Sequence, residues 1–288
     1  MERKSKKNLV LLLAPATIIY LIVFISPFIL LLAQSFWTFQ SSYVSTPGFS
    51  LENYKNVLSD PYYLGIYWRT ARLSFVSTLI TLILAYPLAR LISRLPSGKK
   101  GFLTTLVALP MIGGAMIQTM GWMSVMMPYG AINGILLSLN IIDSKIPILG
   151  TEAGILIGLV QSFFPLMALP LITSLGAIDV TLEDAAKSLG ATPMKTFFTI
   201  VLPLSIPGAI SGVLLVFMAN LTMYVTPSIL GANKIQTFGT FVYQQAVPVG
   251  NWPFTSAYAI LFLLMMGALA FVSSWLTKKI QRQIYLGE

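Results

Sequence analysis

The chain has 288 residues, of which 56% are hydrophobic and only 9% are charged, with a net charge of +9 and a mean hydropathy of +0.81. This composition excludes a soluble globular domain and predicts an all-α, polytopic membrane protein. Cysteine and histidine are both absent, which excludes disulfides, thiolate nucleophiles, histidine metal ligands and imidazole acid–base catalysis. We therefore expect neither catalytic residues nor a metal site in this chain.

Six apolar stretches approach or exceed the ~20 residues that a helix needs to cross a bilayer. They predict transmembrane spans at about 9–34, 67–94, 102–127, 153–177, 206–230 and 255–277. With the N-terminus inside, thirteen of the 18 basic residues lie in segments predicted to be inside. The five that lie outside or at the outer boundary are Lys55, Arg69, Arg72, Lys145 and Lys234. The positive-inside rule then predicts cytoplasmic N- and C-termini. Since no soluble segment of domain size exists, we expect residues 1–288 to form a single membrane domain.

The loop at about 178–205, between the fourth and fifth spans, is predicted to lie in the cytoplasm and to contain two short helices. Thr181 can cap the first helix, and Gly190 suits the left-handed position just past its end. Thr192 can cap the second helix, with Pro193 in its first turn. The loop therefore predicts a sharp corner that is presented on one membrane face.

Two acids and two alanines lie near the start of this loop. Glu183 and Asp184 are expected in the first turn of the first helix, where the helix dipole favours carboxylates. On local chemistry alone they could be only caps, and Ala185 and Ala186 only good helix formers. Further along, four apolar residues at helical spacing could contact a partner or pack on the neighbouring membrane helix: Met194, Phe197, Phe198 and Val201.

The sequence from Glu183 to Gly190, followed after nine residues by Ile200-Val201-Leu202-Pro203, closely resembles a family signature. This is the EAA signature, E-A-A, three residues, G, nine residues, I-x-L-P, of the membrane subunits of binding-protein-dependent ABC importers. The one departure is Asp184, where the family usually has Glu. The resemblance implies a coupling helix that docks in a groove of a cytoplasmic ATPase through Glu183, Asp184, Ala185, Ala186, Gly190 and Met194.

Three further stretches look like the subgroup of importer permeases that includes those for polyamines, opines, phosphonates and iron. They are Gly130-Ala131-Ile132-Asn133, Thr226-Pro227-Ser228-Ile229-Leu230-Gly231 and Asn251-Trp252-Pro253-Phe254. The resemblance implies a permease subunit in the bacterial inner membrane that forms half of the path for a small hydrophilic solute, polyamine- or opine-like. Its implied partners are a cytoplasmic ATPase dimer, a second, homologous permease subunit, an extracytoplasmic solute-binding protein and membrane lipid.

Polar groups at membrane depth are few, and two pairs of them are candidates for a translocation path. Asn220 and Tyr224 are four residues apart in the fifth span, as are Gln118 and Trp122 in the third. Such residues would form a polar edge on each helix. The alternative is that they hydrogen-bond neighbouring helices, which is common in membranes.

Other function classes fit the sequence less well. No G-x-x-x-x-G-K-[ST] motif is found, so the chain is not expected to be an enzyme or to hold a cofactor, and ATP and Mg²⁺ should bind the partner ATPase. The distribution of the positive charge argues against nucleic acid. A self-contained secondary transporter is the main alternative, but the broken helices, midplane ionisable residues and internal repeats typical of that class are not evident in the sequence.

Overall fold

The computed structural model describes residues 2–268, and helices dominate that range. In chain order the α-helices are α1 Glu2–Gln34, α2 Glu52–Ser59, α3 Pro61–Ser93, α4 Ser97–Ala108, α5 Gly114–Met126, α6 Ala131–Ser138, α7 Glu152–Gly176, α8 Val180–Ser188, α9 Pro193–Thr196, α10 Leu202–Thr222, α11 Val225–Leu230, α12 Phe238–Ala246 and α13 Trp252–Ala268. The predicted all-α class is confirmed.

The described residues include four helical stretches that are long and apolar enough to cross a membrane. They are Pro61–Ser93, Ser97–Ser138, Glu152–Gly176 and Pro193–Thr222. Two shorter apolar stretches, Ile19–Gln34 and Trp252–Ala268, coincide with parts of the first and last predicted spans. The end of the last predicted span, at about 277, lies outside the described residues. The boundaries of the six spans stay predictions.

The predicted third span is interrupted. The helix α4 ends at Ala108, a 3₁₀ segment runs over Leu109–Gly113, and α5 begins at Gly114, whose φ is +70°. Pro110 lies in the 3₁₀ segment, where its missing N–H and fixed φ disfavour a regular α-helix. The glycine is needed at the restart because its φ falls where residues with a Cβ are strained.

The predicted fifth span is also interrupted, near its C-terminal end. The helix α10 stops at Thr222, Met223 is extended with φ −65° and ψ 126°, and the short α11 begins at Val225. The expectation of one continuous helix over 206–230, with Asn220 and Tyr224 one turn apart on it, is therefore wrong. The absence of broken helices inferred from the sequence is wrong for the same reason.

The chain divides into two compact units, and the larger one comprises residues 65–241. Its core is a buried apolar cluster to which α3, α7 and α10 contribute: Ala85, Ala89, Ile92, Met167, Ala168, Leu171, Ile172, Leu175, Ile178, Val201 and Val216. The helices α7 and α10 approach closely at Gly208, where a Cβ would lie 2.3 Å from the Ser174 Cβ and 2.9 Å from the Pro170 carbonyl oxygen. Small residues allow such close packing in membranes.

Within the described residues, the other unit comprises residues 2–64 and 242–268. After α1 it contains a short antiparallel hairpin, with strands β1 Thr38–Ser41 and β2 Val44–Thr46. The buried Asn53 of α2 holds this segment, because its Nδ2 donates to the carbonyl oxygens of Ser35 and Trp37, both at 2.9 Å.

Candidate functional site

The polar loop between α7 and α10 folds as two short helices, as expected. The first, α8, is capped by Asp179, whose Oδ1 accepts a hydrogen bond from the Thr181 amide at 2.9 Å. The prediction that Thr181 is the cap is therefore wrong, because the helix begins at Val180, two residues earlier than that cap requires. The prediction that Thr192 caps the second helix is confirmed, since its Oγ1 accepts from the Lys195 amide at 3.3 Å.

Gly190 forms the corner between the two helices. Its φ is +81°, in the left-handed region, and its amide donates to the Lys187 carbonyl at 2.9 Å. A Cβ at this position would meet no atom within 4 Å. Glycine is therefore required here by the backbone conformation and not by lack of space.

Glu183 is turned inward and is bound by two arginines from the end of α3. Its side chain is only 11% exposed, Arg90 Nη2 donates to one carboxylate oxygen, and Arg94 Nη2 donates to the other. Arg94 also donates from Nη1 to the Ile178 carbonyl at 2.9 Å, just before the loop. These contacts join the start of the loop to the second predicted span.

The electrostatics of this cluster favour an ionised Glu183. Burial raises the pKa of the carboxyl, but the hydrogen bonds and positive charges of Arg90 and Arg94 outweigh it and leave the pKa below its usual range. The contribution of the ion pairs is therefore present at neutral pH and is lost only on strong acidification. Since two guanidinium groups share one carboxylate, the cluster keeps a net charge of +1.

The second acid of the loop is exposed. Asp184 lies beyond the first turn of α8, which corrects the expectation that both acids occupy that turn. Its carboxylate pairs with Lys187 at 2.9 Å, with side chains 62% and 57% exposed, so the pair contributes little to stability. Ala185 is exposed beside it and Ala186 is half-buried. Asp184 and Ala185 are therefore accessible to a partner, whereas Glu183 is not.

The apolar residues of the loop separate into an inner and an outer set. Phe197 and Val201 pack on the core, where Phe197 meets Tyr86 edge to face with ring centroids 5.8 Å apart. Met194 and Phe198 are exposed. The outer set also includes two leucines of the first helix and its end, which sequence analysis did not select: Leu182 and Leu189. An apolar surface of this kind is typical of a protein contact site.

Among the candidates for the translocation path, Asn220 lies inside the chain's own core. It is buried, and its Nδ2 donates to Ser77 Oγ at 3.3 Å and to Thr78 Oγ1 at 3.4 Å, both on α3. This geometry is that of interhelical hydrogen bonding. Tyr224, which follows the end of α10, is half-buried.

Gln118 belongs to a polar cluster at the break between α4 and α5. Its Nε2 donates to the carbonyl of Pro110, and its Oε1 accepts from Gln161 Nε2 of α7 at 3.2 Å. Gln161 was not selected from the sequence, although an amide in an otherwise apolar span is a signal that could have identified it. Trp122, one turn after Gln118, is half-buried.

The described residues contain no group of three or more Asp, Glu, His or Cys that could hold a metal ion. The fold and the loop together define a class. It is a polytopic helical membrane protein in which two short helices, held by buried ion pairs, form a corner between two of the spans.

Comparison with known proteins identifies the family. Residues 16–284 match the family described as binding-protein-dependent transport system inner membrane component, and the chain belongs to that family. It is 34% identical over 260 residues to the spermidine/putrescine transport system permease protein PotB of Haemophilus influenzae, which covers 90% of this chain and 91% of the relative. It is 31% identical over 267 residues to PotB of Escherichia coli K12, covering 91% of this chain and 97% of the relative.

A solved structure shows the same fold. The structure of a bacterial ABC transporter involved in the import of the acidic polysaccharide alginate matches with a TM-score of 0.77 and 17% identity, covering 97% of this chain and 98% of that one. The chain is thus a permease subunit of an ABC importer in the inner membrane, and ATP hydrolysis belongs to a separate subunit. This finding decides against a self-contained secondary transporter.

The ion pairs predict unequal roles for the two acids. Glu183→Gln should lower the free energy of unfolding by about 2 kcal/mol or more, because it leaves two largely buried guanidinium groups without their counter-charge. Asp184→Asn, the matched control, should change it by less than about 1 kcal/mol. Thermal unfolding of the purified permease–ATPase complex measures both. Equal shifts for the two variants would contradict the buried bridge.

Gly190 allows a test of backbone conformation without a steric effect. Gly190→Val should reduce transport at least about tenfold, because a β-branched residue is strained at φ +81° and should displace the second helix. Gly190→Asn is the control, since asparagine tolerates the left-handed region. Uptake and ATP hydrolysis by the reconstituted importer are the measurements, and membrane insertion should persist in both. Wild-type uptake by Gly190→Val would contradict the requirement for a left-handed backbone at this corner.

Proposed function

We propose that this permease subunit carries a small amine solute of the polyamine type. The observation that supports this most directly is its similarity to permeases named for spermidine and putrescine, at 30–34% identity over most of both chains. Opine-like solutes are the alternative within the same subgroup. The solute would be delivered by an extracytoplasmic binding protein, since a bacterial alginate ABC transporter of the same fold has been solved in complex with a periplasmic protein that holds an alginate pentasaccharide.

We propose that the chain works beside a second, homologous permease subunit and above a cytoplasmic ATPase dimer. The ATPase would bind ATP and Mg²⁺, and this chain would bind no cofactor. Each permease would then form half of the translocation path.

The loop of α8 and α9 is the proposed ATPase contact. Its accessible surface combines the exposed Asp184 and Ala185 with the apolar side chains of Leu182, Leu189 and Met194. Glu183 takes a different role from that expected, because its carboxylate is used inside the chain. It would orient the loop relative to α3, so that movement of the ATPase is passed to the membrane helices.

The proposed path involves neutral polar groups. Gln118, Trp122 and Tyr224 are kept as candidates, together with Gln161, which shares a hydrogen bond with Gln118. The burial of Asn220 against α3 supports interhelical bonding in place of its proposed path role.

We propose the orientation given by the basic residues, with both termini and the α8–α9 loop in the cytoplasm. Because the native chain has no cysteine, single cysteines report position without interference. Ser188→Cys, at an exposed site on α8, should react with a membrane-impermeant maleimide only from the cytoplasmic side. Bound ATPase should slow that reaction several-fold.

The control for this labelling experiment is Ser144→Cys. Ser144 is also exposed but follows α6 in a loop predicted to lie outside, so it should react only from the outside and regardless of the ATPase. Reaction of Ser188→Cys from the outside would refute the orientation. Unchanged reactivity with the ATPase bound would refute the docking surface.

The solute is tested by uptake into proteoliposomes that contain both permeases and the ATPase, with the binding protein outside and ATP inside. Labelled putrescine should accumulate only when both ATP and the binding protein are present, and excess spermidine should reduce the rate at least about tenfold. Succinate, a dicarboxylate of similar length, is the control and should not compete. Transport of an uncharged or anionic solute without putrescine uptake would refute the polyamine assignment.

A further inference from the structure

A polar cavity of about 400 Å³ opens in the unit that contains residues 2–64 and 242–268. We call it the outer cavity, because the predicted topology places its lining outside the membrane. The lining residues are Asn56, Ser59, Asp60, Tyr63, Gln245, Asn251 and Phe254. A volume of this size lies within the usual range for small-molecule sites.

The lining of the outer cavity is rich in hydrogen-bond acceptors and has one charge. Asp60 supplies a carboxylate, and Asn56, Gln245 and Ser59 supply amide and hydroxyl groups that can accept as well as donate, so the charge of Asp60 is what favours a cation. None of the seven lining residues is basic. The apolar part of the wall is aromatic, with the rings of Tyr63 and Phe254 at a centroid distance of 5.0 Å. Acceptors beside aromatic rings suit an alkylammonium group, which has three donors, a positive charge and an apolar stem.

Two helices begin at this cavity, and their N-termini could instead favour an anion. Their first-turn donors are used or missing, however. At α3, Pro61 has no N–H. The Tyr62 amide donates to Asp60 Oδ1 at 2.8 Å, and the Tyr63 amide donates to the Asp60 carbonyl oxygen at 3.2 Å.

At the start of α13, the first-turn amide donors are likewise used or missing. Asn251 accepts from the Phe254 amide at Oδ1 over 3.2 Å and from the Thr255 amide at its carbonyl over 3.1 Å. Pro253 has no N–H to offer. An anion would therefore meet the Asp60 charge and few backbone donors, whereas a cation meets acceptors that are already held in place.

We propose that the outer cavity binds a primary ammonium group. The ammonium can come from a free amine solute or from a lysine side chain of a protein docked on this face. The inference goes beyond the proposed function, because it assigns a binding site away from both the coupling loop and the candidate path. It does not depend on which solute is transported.

The test removes the charge of Asp60 while keeping its structural role. Asp60→Asn is isosteric, and asparagine caps a helix as well as aspartate does. The matched control is Asp143→Asn, another exposed carboxylate in a segment predicted to lie outside. The probes are butylamine and putrescine, with butyrate as the anionic counterpart. Their affinities are measured by calorimetry on the importer complex without its binding protein.

Both amines should bind saturably, and Asp60→Asn should weaken them about three- to tenfold, the range for loss of one charged partner at a partly exposed site. Asp143→Asn should leave the affinity unchanged, and butyrate should show no dependence on Asp60. This outcome assigns the site to free amines, whether or not putrescine uptake succeeds.

If free amines bind equally to both variants, the affinity of the purified binding protein for the complex becomes the measurement. The ammonium is assigned to a docked lysine if Asp60→Asn weakens binding of the binding protein and Asp143→Asn does not. Acetylation of the lysines of the binding protein should then abolish the difference between the two variants. If neither free amines nor the binding protein distinguishes the two variants, the proposal is overturned. Putrescine uptake by the wild type could still succeed in that case, so the two failures are distinguishable.

Discussion

The Glu183 carboxylate, held between Arg90 and Arg94, is the contact on which the geometry of the loop that contains α8 and α9 depends. Bringing three charges into a largely buried site is costly, and the gain in Coulomb energy compensates only if the geometry is good. Such a cluster therefore contributes little net free energy to overall stability, but it fixes the relative positions of the elements that it joins. Here the fixed parts are the first loop helix and the end of α3.

A similar arrangement lies at the opposite end of the same helix. Within the unit of residues 65–241, Arg72 donates to Glu152 at 2.7 Å, and Arg69 lies 3.8 Å from the same carboxylate. At 1.5 Å per residue, the two arginine pairs are about 30–35 Å apart along α3. The side chains of the pairs with Glu152 are 38–49% exposed, so these pairs contribute less than those with Glu183. The helix α3 therefore connects the start of α7 with the α8–α9 loop, and the ion pairs at the loop are the more buried of the two sets.

The sequence predicted those parts of the loop that depend on local chemistry. The corner at Gly190 and the cap at Thr192 follow from φ preference and side-chain reach within three residues, and both are confirmed. The partners of Glu183 could not be predicted, because they lie about 90 residues away and charge alone does not specify pairing. The break at Met223 was missed because the apolar pattern continues through it, and hydropathy does not report backbone dihedral angles.

The distribution of charge along the membrane helices bears on how a cationic solute could cross. In residues 2–268, the ion pairs lie in loops or near helix ends, whereas the buried polar groups along the spans, such as Gln161 and Asn220, are neutral. Neutral amides cost less in a membrane than charges, but they also hold a cation less tightly. If the solute is an amine, weak neutral contacts would favour its release and would discriminate poorly between solutes. Selectivity would then have to arise before entry, in the binding protein and at the outer face.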